Sequence, residues 1–515
     1  MIIAQVEPPH MADGGDYFYR THAPGMAMAQ EEGIYVVNLT SQHRMSLEIM
    51  SQADVLILND ICDPDLLYLA RERKSRGKPT VYEIGDDLTS LQTWNPVYFF
   101  YKNPENVALS LRLASYCDAL QVSVPYLRSV FGYLNGICEV FPNHIMPPPD
   151  QDQTRKHSHI VIGWGGSHGH LEDVAEMARP LMEWIASRTD VVLHLMCSEP
   201  IWRLFRELPD HKKMWRKPGS IEDYYRFLSY VDIGIGPIRN TPFNLSRSDV
   251  KFLEYAVSGT VPVMACLEPY QHSVREGETG YLFKSQEELI GILNRLMADR
   301  NLLNRIADNA RRYVLDERMQ MKRGRERTDL YTQLINQQDP KESAPAEAGR
   351  QSGKKSGFEK WSGMEGAVRN ERHLRLMPTR FEECLYSGLV ASQVDEDKDK
   401  ARQYFETAEQ LEPLMYQTYL FGYGVSPDPI GNLRKALQLN PNSLKATLLL
   451  GEELAGIGDV LKAFESFDAA IRIFPDYDIP FLRAAVLLEK IGEQAQAETM
   501  YDKAKQLAVR HPTGS

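Results

Sequence analysis

The sequence has no long hydrophobic run. None approaches the roughly 18 apolar residues of a membrane-spanning helix, so none is indicated. The opening MIIAQVEPPH lacks a basic segment followed by an apolar core, so no signal peptide is expected. Cysteine is scarce, with six in 515 residues. Cys62, Cys117, Cys138, Cys197, Cys266 and Cys384 are scattered and form no metal-type pairs. Most lie in apolar runs, where a free buried thiol is the expected state, and a cytoplasmic protein is the corresponding expectation. Positive charge is in deficit: the formal net charge is −12, which argues against broad nucleic-acid binding but says nothing of a local basic patch.

What is present fits a soluble globular chain, at 43% hydrophobic and 25% charged residues. The length exceeds one ordinary core, so several domains are expected. Strand-like runs at Met1 to Val6, Tyr35 to Leu39, Val55 to Leu58, Thr80 to Ile84 and Ala119 to Val122 alternate with helical segments such as Pro64 to Arg76. That alternation predicts a parallel α/β sheet over 1–147. Gly14 and Gly15 follow the first strand and permit close backbone approach to a ligand; Tyr17, Phe18, Tyr19 and Arg20 come next. Glu83, Asp86 and Asp87 end the Thr80–Ile84 strand, at the sheet edge where functional loops collect. Such carboxylates can bind a hydroxylated substrate, a cation or a transferable proton, and Asp87 can equally cap a helix. VFPNHIMPPP, Val140 to Pro149, reads as the exit into a stiff connector.

The pattern restarts over 155–335. His159 to Trp164 reads as a strand, followed by the glycine-rich turn Gly163 to His170, whose backbone N–H groups can face an anion. The turn is not the GxGxxG dinucleotide fingerprint. His168 and His170 have no third ligand nearby, so no metal site is expected. Lys212, Lys213, Arg216 and Lys217 cluster around Trp215, the usual pattern of solvated surface. Val231 to Ile238 and Val261 to Cys266 read as buried strands flanking a helix from Asp249 to Ser258, with Ser248 as N-cap and Gly259 as stop. On that helix Val250, Leu253, Ala256 and Val257 form the packing face, while Lys251, Glu254 and Tyr255 form another. Arg247 and Lys251 beside a helix N-terminus suit a phosphate, and Glu254 one turn on could accept hydrogen bonds from a sugar diol; a plain surface Lys–Glu pair has the same spacing. Leu302 to Tyr331 predicts one long helix carrying Arg311, Arg312, Lys322, Arg323, Arg325 and Arg327. That is a solvated face by default, with acidic lipid headgroups or an anionic acceptor as possible partners.

Residues 336–372 turn polar, and a flexible linker is expected there. Over 373–512 a 34-residue period links Pro441 to Pro475, Gly458 to Gly492, Ala463 to Ala497 and Ala470 to Ala504. This is the signature of tetratricopeptide helical hairpins, which bind peptides, oligomerise or brace a neighbour. An earlier unit begins near Pro378, and the intervening one, Pro413 to Pro441, is short.

PFNLSRSDVKFLEYAVSGTVPV, Pro242 to Val263, closely resembles the donor-site segment of group 1 (family 4) retaining glycosyltransferases. IGWGGSHGHLEDV resembles the start of their C-terminal domain, VYEIGDDL a strand end of their first domain, and VFPN their interdomain crossing. The resemblance covers about residues 1–335. It implies two Rossmann-like domains facing a cleft (the GT-B architecture), with a C-terminal helix returning to the first domain, here Leu302–Tyr331. It further implies a nucleotide-diphosphate sugar as donor, a glycan, lipid-linked or protein acceptor, retention of configuration and no metal. Glu254 matches the glutamate on the donor ribose, and Lys251 and Arg247 match charges near the diphosphate. Gly165, Gly166 and Ser167 line the phosphates, with His170, Ser246 and Ser248 completing the donor segment. Asp86, Asp87, Gly15 and Arg20 fall on the acceptor side. Two departures stand out: Ser246 occupies the place of the first glutamate of an E-x7-E pair, and Arg239-Asn240 replaces a commonly acidic position. The competing readings are a degenerate transferase serving as a repeat scaffold, and another α/β nucleotide enzyme, against which the missing GxGxxG counts.

Overall fold

The computed structural model describes residues 1–9, 14–95, 97–148, 159–337 and 355–509. Six strands of the first half, β1 (Ile2–Glu7), β2 (Tyr35–Thr40), β3 (Val55–Asn59), β4 (Thr80–Ile84), β5 (Ala119–Val122) and β6 (Cys138–Val140), pair in parallel. Six more, β7 (Ile160–Gly165), β8 (Val191–Met196), β9 (Lys213–Arg216), β10 (Ile233–Gly236), β11 (Val261–Ala265) and β12 (Tyr281–Phe283), form a second parallel sheet in the order β12-β11-β10-β7-β8-β9. Both sheets carry helices, because continuous Val/Ile/Leu strands expose two apolar faces that must be covered.

The basic cluster around Trp215 is not loose surface. It is the edge strand β9, whose alternation of half-buried and exposed residues seats Trp215 against the Cys197 carbonyl at 2.9 Å and Lys213 over the Trp202 ring. Lysine on an edge strand blocks edge-to-edge pairing.

The expected helix Leu302–Tyr331 is two helices, Arg300–Glu317 and Gly324–Gln337, with a short turn between. The break is where the chain crosses back: Met319 bridges Ile145, and Arg318 binds Asp249 and the Asn143 carbonyl. The turn Gln320–Lys322 and the helix Gly324–Gln337 lie on the first domain, the helix burying Tyr331 and Leu334 against its sheet. Gly324 sits so close that a Cβ there would lie 2.3 Å from the Ala27 carbonyl oxygen. The basic residues therefore share no continuous exposed face: Arg327 is buried on Glu83, Arg323 pairs with Glu326, and Arg325 approaches Glu31.

The expected linker 336–372 is also corrected; its part over 338–354 lies outside the described residues. Lys355–Glu371 is a helix, packed on β2 and on the helix Ser46–Gln52. The following β13 (His373–Arg375), expected to open the repeats, adds a seventh parallel strand beside β2, giving the order β13-β2-β1-β3-β4-β5-β6. Polar composition hid this segment, but Met364 and Val368, one helical turn apart, pack into the first domain's core.

From Arg380 onward four helical hairpins follow: Arg380–Gln393 with Lys398–Leu411, Tyr416–Gly422 with Pro429–Leu439, Leu444–Gly456 with Val460–Ile473, and Asp478–Lys490 with Gln494–Leu507. Gly458 and Gly492 make the last two turns at φ +80° and +84°, where a side chain would be strained. The array is joined to the first domain. Asp65, buried, accepts hydrogen bonds from Ser443 Oγ at 2.9 Å, the Lys445 N–H at 2.9 Å and Tyr416 OH at 3.2 Å. Arg483 clasps Glu105, and Phe474 meets Tyr116 edge to face.

Candidate active site in the interdomain cleft

The helix Val250–Val257 lies between β10 and β11 and buries Phe252, Leu253, Ala256 and Val257. Lys251 and Glu254 then point together into a cavity of about 760 Å³ between the two domains. Its second-domain wall is the turn Gly165, Gly166 and Ser167 with Tyr224; its first-domain wall is Gly15 and the residues after it. Those residues form a π-helical turn, Tyr17–His22, wide enough to send Tyr17, Phe18, Tyr19 and His22 to the same cavity.

Glu254 is only 6% exposed, and both its oxygens are held. Tyr19 OH, 235 residues earlier and on the facing domain, donates to Oε1 at 2.7 Å, and Tyr224 OH donates to Oε2 at 3.0 Å. Burial raises the carboxyl above its ordinary range, opposed by Lys251 and the two phenols. Lys251 donates to the Gly165 carbonyl and lies under three rings, Trp164, Tyr224 and Tyr255, at 5.7–5.9 Å from their centroids. Burial lowers its pKa, Glu254 opposes the shift and Arg247 adds to it. A cation held by ring faces and one carbonyl can turn towards an anion without crossing bulk water.

A second chamber of about 310 Å³ adjoins the first, sharing Gly15 and Ser167. Arg247 enters it from the second domain, over the Phe243 ring at 4.8 Å, with Nε on Asn244 Oδ1 at 3.2 Å. Asp86 and Arg20 enter from the first. Burial pushes the Asp86 carboxyl up to about 6, against the pull of Arg247 and with Asp16 and Asp87 adding.

Thus the cleft brings together Gly15, Arg20, Asp86, Gly165, Gly166, Ser167, Arg247, Lys251 and Glu254. Four expected residues line neither chamber. Asp87 closes its own turn, accepting from Thr89 and Ser90; no helix starts there, so it is not the helix cap weighed above. His170 binds Asp173 at 2.8 Å, which in turn accepts from the Arg239 N–H and Asn244 Nδ2. Burial, then Arg247, lowers His170 to about 4, so it orients the glycine turn as a neutral ring. Ser246 is fully buried at the domain seam; its hydroxyl donates to the Phe243 carbonyl and accepts from the Asp87 N–H at 2.9 Å. Ser248 caps nothing: its hydroxyl accepts from Asn143 Nδ2 at 2.9 Å, across the crossing. Arg20 is largely structural as well, binding Glu83, the Phe141 carbonyl and Asn143.

No pattern in the sequence announces Tyr224 or Arg375 as cavity residues, yet both line the first cavity. Arg375 lies on β13, stacked over Tyr17 at 4.2 Å, and reaches the first cavity only because that strand joins the first sheet. Among the described residues no group of three or more His, Cys, Asp or Glu is arranged to hold a metal ion, and no helix is long and apolar enough to cross a membrane.

No family model and no curated protein matches the chain. Solved structures of similar course include Anabaena HepE in complex with UDP, at 13% identity over 65% of this chain and 100% of that one, TM-score 0.47. The sucrose-phosphate synthase of Thermosynechococcus elongatus gives 14% identity, 65% and 99% coverage and TM-score 0.47. A glycosyltransferase from Rickettsia africae gives 10%, 65% and 99%, and 0.48. The likeness is one of backbone course alone; the two parallel sheets with their flanking helices are of the α/β class.

Proposed function

We propose that the chain is a retaining glycosyltransferase that moves a sugar from a nucleotide-diphosphate donor to a glycan, lipid-linked or protein acceptor. The observation that carries this is the convergence of Lys251, Glu254 and the Gly165–Ser167 turn on one cavity closed by Gly15 and Tyr19 of the facing domain. In this reading the ribose diol exchanges with the tyrosine hydroxyls on Glu254. The diphosphate lies along the glycine turn, and Lys251 and Arg247 neutralise it as charge develops on the leaving group. The acceptor hydroxyl attacks the anomeric carbon on the face from which the phosphate departs. The carbon–oxygen bond to the nucleotide breaks, and the hydroxyl proton passes to the departing phosphate oxygen. No metal is assigned to this scheme. We place the protein in the cytoplasm, and read the four hairpins as tetratricopeptide-like units that brace the acceptor-side domain and offer a surface to a protein partner.

The alternative, a degenerate transferase acting as a scaffold, has two observations in its favour: both Glu254 oxygens are already bonded and Ser246 is sealed in the seam. A thermal-shift panel of UDP, GDP, ADP, CMP and NAD on the intact chain decides between them. One nucleotide must raise the melting temperature, and Glu254→Ala must abolish the rise. A flat panel favours the scaffold; a response to NAD alone favours another nucleotide enzyme.

A further inference from the structure

Where the hairpins meet the first domain there is an open groove of about 690 Å³, which shares no residue with either chamber of the cleft. Its long walls are the second helices of successive hairpins, Pro429–Leu439 and Val460–Ile473, and its floor is the helix between them, Leu444–Gly456. The first domain closes one end with Tyr68 and Arg71 of the helix Asp65–Ser75, and Tyr68 OH accepts from Asn442 Nδ2 at 2.9 Å. The groove in this form therefore exists only while the array is docked on that domain.

The depth of the groove is apolar, with Leu437, Leu450, Leu454, Ala469 and Ile473 along it. The hydroxyls that reach it are spent on their own helices, Thr447 on the Ser443 carbonyl at 2.7 Å and Ser466 on the Lys462 carbonyl at 2.9 Å. At the end away from the first domain Ile457 and Leu461 are 68% and 72% exposed and prolong the apolar surface. Charge lies on the rim and is mostly of one sign. Arg434 on one wall, Lys462 and Arg472 on the other and Arg71 at the closed end stand against the single carboxylate Glu465, in a chain of formal net charge −12. Lys462 also meets Asp459 at 2.6 Å and Arg472 meets Asp468, but both pairs are exposed, and such pairs are weak. Arg71 is placed by two rings, Tyr68 and Phe474, at 5.6 and 5.9 Å from their centroids. From Lys462 to Ile473 the wall runs roughly 16 Å at the helical rise. That is the length of about five extended residues.

We propose that this groove docks a short acidic segment of a partner protein, with one or two apolar side chains in its depth and carboxylates on Arg71, Arg434 and Arg472. This occupant rests on the reading of the hairpins as a partner surface, and it names the face and the chemistry which that reading leaves open; nucleotide binding plays no part in it.

A phage library of random heptapeptides panned on the intact chain supplies the probes, and fluorescence polarisation measures the enriched sequences as synthetic peptides. Arg434→Glu/Arg472→Glu changes two exposed side chains, Arg71→Gln changes the first domain's contribution, and thermal melts verify that both variants fold. The enriched peptides should carry net negative charge and at least one large apolar residue. Replacing their carboxylates by amides should weaken binding tenfold or more, as should the double variant, and Arg71→Gln should weaken it threefold or more. Raising the salt from 50 to 300 mM must weaken it as well. No enrichment, enrichment of neutral or basic sequences, or affinity indifferent to either variant overturns the proposal. Acidic peptides that bind while ignoring all three arginines would keep the hairpins as a partner surface and remove this groove. Phosphatidylglycerol vesicles and self-association in sedimentation velocity test the other occupants: either one, lost in the double variant while no peptide binds, also overturns it. The nucleotide panel reads the transferase assignment separately, and a chain that fails the panel yet binds these peptides through the three arginines keeps the groove alone.

Discussion

Glu83 is the joint between the first domain and the helix that returns to it, and Glu83→Gln exposes how much that joint contributes. The carboxylate is 1% exposed and faces Arg20 and Arg327, themselves 3% and 4% exposed, with Gln121 as a further donor. Tyr331 of the return helix donates to Gln121 at 2.8 Å and extends the network. Glutamine preserves the shape but leaves two guanidiniums buried with no counter-charge, a change that costs about 3–5 kcal/mol in comparable buried pairs. For a unit of this size that lowers its melting transition by roughly 10 °C. Calorimetry reads the transition, and hydrogen exchange must rise in β4 and in Gly324–Gln337 while β7 to β12 stay protected. Burial alone would raise the Glu83 pKa, but Arg20 and Arg327 hold it below its ordinary value. Its stabilisation is therefore complete above the usual glutamate range and is lost as pH falls through the depressed folded value. Glu83→Gln must flatten that acid limb. Replacing all three charges by apolar residues of similar size should recover most of the loss, since the pair offsets its own desolvation. A shift within about 1 °C for Glu83→Gln, or a triple variant less stable than the single one, would refute the reasoning.

Gly324→Ala should lower the same transition, because a methyl 2.3 Å from the Ala27 carbonyl forces the return helix outwards at a cost of about 1–3 kcal/mol; a melt unchanged from wild type would contradict the close packing. Asp65 binds the hairpins to the first domain, and burial with Asp63 pushes its carboxyl up to about 7. A raised folded pKa stabilises docking in acid and loses that contribution as pH climbs through about 7, so exchange in Leu444–Gly456 must increase over that interval and Asp65→Asn must abolish the dependence. Ser246→Glu installs the glutamate that the resemblance implies at this position, yet the site is fully buried between the Phe243 carbonyl and the Asp87 N–H. The expected outcome is a lower melting temperature with no gain in nucleotide affinity, and tighter nucleotide binding would show the seam to be more open than it is here.

The sequence by itself determined the strands and the period of the helices. Apolar runs such as Val55 to Leu58 have one stable use, the interior of a parallel sheet, and Lys251 with Glu254 share a helix face by spacing alone. Glycine turns and the 34-residue repeat are local signals too, because each depends on neighbours within a few dozen residues. What decided the site is not local. Tyr19 meets Glu254 across 235 residues, Arg375 arrives on a strand paired with β2, and Asp86 and Arg20 share a chamber only once a strand end and a π-helical turn converge. Ser246 and Ser248 carried the same polar character as true ligand contacts, and only the seam between the domains turned their hydroxyls inwards. Spacing along a chain fixes which side chains share a face, whereas burial and hydrogen-bond partners belong to surfaces that exist only after distant elements pack.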